Sequence, residues 1–390
     1  MSVTKRRMEP GSFDVRLRPS TPVSITDQLT FATQAFAHLI VTPAWIPPHF
    51  FSTAANLVAT SIYTGVIRVR ESRLGYSGAH ASILLGDEDG KGQLPEVVTT
   101  ATSTFTTWMT ALKPPNVLTN GSYNASATTL AWTWAIGQSR RDAIDYICQT
   151  MGYDWQVTDD LYLNGDTAAN LYGAADVLLT PSMDGTGDVD YRAVRATLGS
   201  TLTAEDYTTK TIVKDDAGAF STSGPGTVPF DDHLGNDYVW KRYIDGGSTV
   251  TSGTGSTVAA QQLGRFDQID QRIRARTDVK AVMANVEVGS TVMAWDPDAD
   301  VYDLNNETYW RGTLVYPLEV PVQAITMPLE EGMGVYVRLN GASPSVVDLT
   351  PYMEWEGAGA TIELGTPRPR LAPALFMRGI NGLAEGGYLS

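Results

Sequence analysis

From Ile62 to Glu71 the run Ile-Tyr-Thr-Gly-Val-Ile-Arg-Val-Arg-Glu alternates, so that Ile67 and Val69 share one face and Arg68 and Arg70 the other. That period of two predicts a strand with one wet face. The periodicity changes after Ser139. Ile144, Ile147, Cys148 and Met151 fall at i, i+3, i+4 and i+7, which predicts a helix from Ser139 to Met151 with one apolar stripe. Ser139 is placed to cap it, Asp142 three residues on completes the pattern of a capping box, and Gly152 stands just past its end. A second helix is predicted from about Ser256 to Arg276, with Leu263, Phe266, Ile269 and Ile273 as its stripe and Asp270 and Arg274 as an i, i+4 ion pair.

Residues 1–30 read as extended and turn-rich, since Pro10, Gly11, Pro19 and Pro22 break any helix. Between the two helices, residues 153–250 alternate short strand-like runs with Gly/Asp turns, and Thr180 to Asp190 and Gly246 to Gly255 read as loops. After Asp278 the pattern is β. Val286, Val288 and Val292 to Trp295 predict strands around Gly289, Val335 to Leu339 leads into the hairpin signal Asn340-Gly341, and Thr361 to Leu364 closes the block. Beyond Pro367 the chain reads as an extended arm. The fold class expected is β-rich α+β.

Composition agrees with that reading. The 390 residues include 45 Thr, 36 Gly and 21 Pro, a β- and turn-forming mixture, and 43% hydrophobic residues, enough for a packed core. A single cysteine, Cys148, excludes an internal disulfide framework, and its place on the apolar helix stripe predicts a buried thiol without reactivity. No apolar run is long enough for a membrane span, and the first ten residues carry Lys5, Arg6 and Arg7 but no apolar core of a secretory signal. The net charge of −15 is unevenly placed: residues 1–75 hold eight basic groups against four acidic ones. An acidic surface argues against nucleic-acid readout. The asymmetry leaves two readings, a solvated surface or a basic segment resting on the acidic body of a neighbouring copy.

Candidate chemistry is sparse. Gly86 to Gly92 is one residue short of a phosphate loop, has glycine where Ser or Thr would hold magnesium, and carries three carboxylates that repel phosphate. Asp296, Asp298, Asp300 and Glu307 stand at positions 1, 3, 5 and 12 of a calcium loop, but Val301 replaces the needed glycine and the flanks read as strands, so a surface turn competes with a metal site. Glu354 and Glu356 flank Trp355 and, on a strand, would lie about 7 Å apart, near the spacing of a glycosidase pair, although such pairs normally come from different elements. Trp132, Trp134 and Trp155 could stack on sugars, yet the alternation of the first two fits core packing. There is no Gly-x-Ser-x-Gly elbow and no His-Glu-x-x-His pattern, and with four histidines the stock of acid–base groups is small. No catalytic residue and no cofactor is predicted.

Several segments together resemble the minor tail proteins of actinobacterial siphophages, the group that serves as the tail hub. They are Leu85 to Gly92, Ser139 to Ile147 continuing to Gly152-Tyr-Asp-Trp-Gln-Val157, Glu205-Asp-Tyr-Thr-Thr209, Val288 to Asp298, Glu331 to Tyr336, and Asp348 to Tyr352 with Glu354-Trp-Glu356. The resemblance implies a non-enzymatic virion protein, made in the host cytoplasm. Its partners would be two further copies of itself in a trimeric ring, the distal tail and tube, the tape-measure C-terminus, and tip or fibre proteins. Each copy of such a hub carries two β-barrels with small α/β insertions, so three copies match a hexameric tube. The division expected is a barrel-like domain at 1–95, an α/β insert at 96–170, a β-rich segment at 171–280, a second barrel-like domain at 281–365 and an arm at 366–390. About 25 residues follow Gly365, too few for the hydrolase or fibre domain that some hubs append. Two rival readings are a carbohydrate- or receptor-binding tail module using Trp side chains, and a glycan hydrolase using the Glu354/Glu356 pair.

Overall fold

The computed structural model describes residues 1–29, 37–43, 45, 60–86, 99–115, 117–134, 136–172, 174–180, 190–192, 199–203, 208–224, 241–247, 249–266, 270–277, 286–294, 301–302, 308–310, 313–315, 318–339, 345–355 and 360–365. The fold is β-rich with few helices. The chain begins with β1 (Ser2–Arg6), β2 (Ser12–Arg16), the short helix α1 (Val23–Gln28), β3 (His38–Thr42), β4 (Tyr63–Arg70) and β5 (Gly75–His80). A compact insert follows: β6 (Thr99–Thr104), α2 (Phe105–Leu112), β7 (Thr119–Tyr123), β8 (Thr129–Trp134), α3 (Arg140–Met151), β9 (Asp154–Val157), β10 (Tyr162–Asp166) and α4 (Ala168–Leu171).

Next come β11 (Ala174–Thr180), β12 (Asp190–Arg192), β13 (Gly199–Thr203), β14 (Lys210–Lys214), β15 (Phe220–Ser223), β16 (Lys241–Asp245) and α5 (Gly255–Phe266). The last block is β17 (Asp270–Thr277), β18 (Thr291–Ala294), β19 (Val301–Tyr302), β20 (Thr308–Trp310), β21 (Thr313–Val315), β22 (Leu318–Pro328), β23 (Gly334–Leu339), β24 (Ser345–Asp348) and β25 (Ala360–Gly365).

One sheet of 14 strands organises the molecule, with the path β12-β11-β18-β22-β1-β2-β5-β4-β3-β23-β24 and a branch through β25, β17 and β13. The first and last parts of the chain share it. β1 runs antiparallel to β22, with Val3 opposite Met327, and β3 runs antiparallel to β23, with Leu39 opposite Val337. Alternate residues of nine strands point into one core: Val3, Phe13, Val15, Leu39, Val41, Tyr63, Ile67, Tyr76, Val322, Ile325, Met327, Val335, Val337, Val347 and Ile362 are all buried there. Burying that apolar surface, at about 25 cal/mol per Å², is the main force that curves the sheet around it. Among the described residues the path is open at β24, which pairs with β23 alone, so the strands form no closed barrel.

Most of the predicted elements occur, with three exceptions, the first being that residues 1–30, expected to hold no helix, contain α1, which starts directly after Pro22. α3 matches the expected helix, with Ser139 Oγ accepting from the Asp142 N–H at 3.1 Å and Gly152 left-handed at φ 70°. Cys148 is fully buried on its apolar side. In β4 the expected alternation fails, because the register shifts between Ile67 and Val69. Ile67 stays in the core while Val69 is 49% exposed, as a bulge puts one extra residue into the strand. The second predicted helix stops at Phe266. Asp270–Thr277 is a strand, paired with β13 and β25, so the i, i+4 spacing of Asp270 and Arg274 spans about 13 Å of extended backbone instead of one helical turn. The segment Arg-Ile-Arg-Ala-Arg alternates with period two, and two neighbouring strands outweigh its helix propensity.

Candidate functional site

A cleft of about 290 Å³ opens where the insert meets the main sheet. β1 supplies Lys5, the residue just past its end is Arg7, the end of β5 supplies His80, and the β9–β10 hairpin supplies Asp159, with Asp154 held against Arg7. The hairpin turn is tight. Thr158 and Tyr162 close it with a 2.9 Å backbone bond, and Leu161 adopts φ 68°, which leaves the Asp159 carboxylate projecting toward the sheet.

Asp159 receives bonds from three strands of the sheet. Lys5 Nζ pairs with Oδ2, while His80 Nε2 and the Thr64 backbone N–H reach Oδ1 at 3.3 and 3.2 Å. Its backbone carbonyl accepts from Thr64 Oγ1 at 2.7 Å and from Ser61 Oγ at 3.2 Å. Burial alone would raise this carboxyl, but the Lys5 charge and the His80 hydrogen bond outweigh it and hold its pKa at about 2. Tyr63 packs edge-on against His80, with its hydroxyl buried and its pKa driven well above the usual range by desolvation and then by the Asp159 charge.

The second pair is deeper. Arg7 and Asp154 are 4% and 5% exposed, and Arg7 Nε donates to Asp154 Oδ2 at 2.8 Å alongside a bond from its Nη2. The guanidinium also lies over the Tyr172 ring, 5.0 Å from its centroid. Gly289, at φ 97°, lets the backbone pass under that ring, where a Cβ would sit 2.3 Å from Tyr172 Cδ1.

The residue chain Asp159–His80–Ser82 has the order of a hydrolytic relay, with His80 Nδ1 3.2 Å from Ser82 Oγ. Its surroundings argue for structure instead. Ser82 is 2% exposed, and the same Nδ1 accepts from the Ser82 N–H to cap the 3-10 turn Ala81–Leu85. Nδ1 is therefore the acceptor, and the Nε2–H is free to donate to Asp159. The arrangement can clamp two parts of the chain together with charge-assisted hydrogen bonds.

The residues singled out from sequence lie elsewhere. Asp296, Asp298, Asp300 and Glu307 fall outside the described residues, as does Glu356. Glu354 follows the isolated bridge between Leu17 and Met353, its backbone N–H donating to Arg16 at 3.0 Å, and is not on a strand. Trp132 and Trp134 both pack into the insert. Trp132 lies 4.0 Å from the Tyr146 ring, and Trp134 donates to the Gln138 carbonyl and carries Arg140 over its face. Neither offers a free stacking face of the kind sugar recognition needs. Trp155 is 1% exposed and donates to Asp145. Among the described residues no cluster of His, Cys, Asp and Glu could hold a metal ion. No helix of the described residues is long and apolar enough to cross a membrane.

Sequence reasoning missed the cleft. Its signal was the charge asymmetry: the basic run Lys5-Arg6-Arg7 finds acidic partners in Asp159, Glu9 and Asp154 of its own chain.

No protein-family model matches the sequence, and no curated protein does. Solved structures do. The fold is similar to prophage tail protein gp18 from Listeria monocytogenes EGD-e, at a TM-score of 0.50 and 10% identity over 98% of this chain and 92% of that one. It is similar also to the tail protein from Neisseria meningitidis MC58, at a TM-score of 0.50 and 11% identity over 96% of this chain and 93% of that one. Along nearly its whole length, the chain therefore has the fold of these two tail proteins.

Proposed function

We propose that this chain is a structural protein of a bacteriophage tail, a hub that forms a trimeric ring below the tail tube. The ring connects the tube, the end of the tape-measure protein and the tip or fibre proteins, and leaves a passage for DNA. The observation that carries this reading is the correspondence of fold with two tail proteins over 98% and 96% of the chain. Resemblance of short segments to actinobacterial siphophage hubs points the same way. In this reading residues 1–95 and 281–365, most of whose strands share one sheet and one core, form the β-rich body that each of three copies contributes to the ring, and the insert at 96–170 decorates it. The protein resides in the virion, and its work is mechanical, not catalytic.

The clamp at Asp159 and Arg7 supports a mechanical role, since it ties the insert to the sheet that carries it. The net charge of −15 suits a conduit, because an acidic wall does not hold passing DNA. Light scattering on the purified chain tests the reading. A mass of three times 42.1 kDa supports it, and a monomer at every concentration examined contradicts the ring.

A further inference from the structure

The three-stranded sheet β15-β14-β16 has two unlike faces. Inward, Val213 packs with Val250, Val258 and Ala259, closing a small core under α5. Outward, β14 presents Lys210, Ile212 and Lys214, β15 presents Phe220 and Thr222, and β16 presents Lys241, Tyr243 and Asp245. Phe220 is 64% and Tyr243 44% exposed, and their rings stand 6.3 Å apart, tilted by 40° across the middle strand. Two large exposed rings side by side on one sheet face are the kind of apolar patch that a partner removes from water.

The charges around the rings say what that partner carries. Lys210 and Lys241 are register neighbours, and like charges placed side by side on a sheet repel. The ion pair on this face is Lys214 with Asp245, at 3.6 Å, and among the described residues Lys210 and Lys241 have no carboxylate partner. The rest of the chain holds 25 basic and 42 acidic residues, so a second copy offers the missing countercharge. Three lysines against one aspartate make the face a poor match for itself across a twofold axis. A different, acidic surface of the next copy is the better match, and a contact of that kind builds a ring where its rotation closes.

We propose that this outer face, centred on Phe220 and Tyr243 and rimmed by Lys210, Lys214 and Lys241, is the surface with which one copy of the chain docks on an acidic surface of the next. The ring closure rests on the hub reading above. The test compares the full chain with K210E/K214E/K241E and, separately, with F220S/Y243S, using mass photometry over a range of salt and protein concentration. Circular dichroism and the melting temperature check that each variant folds, and K241E alone, on an edge strand, replaces the triple variant if that one does not.

The expected result is a wild-type trimer that dissociates as salt rises, and variants whose association is weakened by about tenfold or more, leaving mostly the 42.1 kDa monomer. A wild-type trimer with equally trimeric variants overturns the docking surface and leaves the hub reading standing. A wild type that stays monomeric overturns both. Binding of a single-stranded oligonucleotide that F220S/Y243S abolishes, with no change in mass, assigns the face to nucleic acid and likewise overturns the proposal.

Discussion

At the scale of single residues, two buried acids carry the junction, and each can be probed alone. Arg7→Met leaves the Asp154 carboxylate buried without its guanidinium, which costs about 3–5 kcal/mol, whereas R7M/D154L removes both charges and recovers much of that loss. Urea unfolding of the two variants checks the order: if R7M/D154L is the less stable, the pair is not the clamp described here. His38 gives a pH signature. Burial, then the nearby Arg338 charge, lowers its pKa to about 4, below the ordinary 6.5. The unfolded chain then binds the extra proton first, so stability falls as pH drops from 6.5 to 4, by about 3 kcal/mol in all. Asp159, held at about 2 against 3.8, adds a similar loss of about 2 kcal/mol, but only as pH falls from 3.8 toward 2. In His38→Gln the decline between pH 6.5 and 4 should flatten while the acid limb below it remains. An unchanged slope there would count against a neutral buried imidazole.

At the scale of elements, legibility depended on whether the decisive contacts were local. α3 could be read because its signals sit within it: Ser139 at one end, Gly152 at the other and a stripe between. Ser139→Ala should cost about 1 kcal/mol by removing the cap. Gly152→Ala should cost about as much or more, since φ is 70° and the new Cβ would sit 2.7 Å from Gln261 Cβ. Thermal melts check both, and a neutral Gly152→Ala would mean that the left-handed cap is dispensable. The segment Asp270–Thr277 could not be read the same way, because its partners β13 and β25 lie about 70 and 90 residues away in sequence and no local pattern names them. The bulge in β4 escaped for a different reason: its partner β5 is near in sequence, but the register of the pair is not written in the alternation of Ile67 and Val69. The cleft was the hardest to foresee. Lys5 meets Asp159 across 154 residues and Arg7 meets Asp154 across 147, and neither pair belongs to a motif.

At the scale of the whole molecule, the charge distribution takes on a definite form. The basic run Lys5-Arg6-Arg7 is paired within the chain, tying the first strand and its end to the β9–β10 hairpin, while Arg16, Arg18 and Arg68 stay exposed. The proposed docking face adds a second positive surface, on β14 and β16. The sheet of 14 strands joins residues 2–42 to residues 324–338, so a load on either segment is shared through backbone hydrogen bonds between β1 and β22 and between β3 and β23. Such a layout suits a part that transmits force between a tube and a tip. The central claim is best tested by a reconstruction of the virion tail at a resolution that traces strands. The account predicts three copies of this fold in a ring directly below the tube, surrounding an open passage. Absence of the chain from the virion, or its presence as a peripheral fibre outside the tail axis, would contradict it.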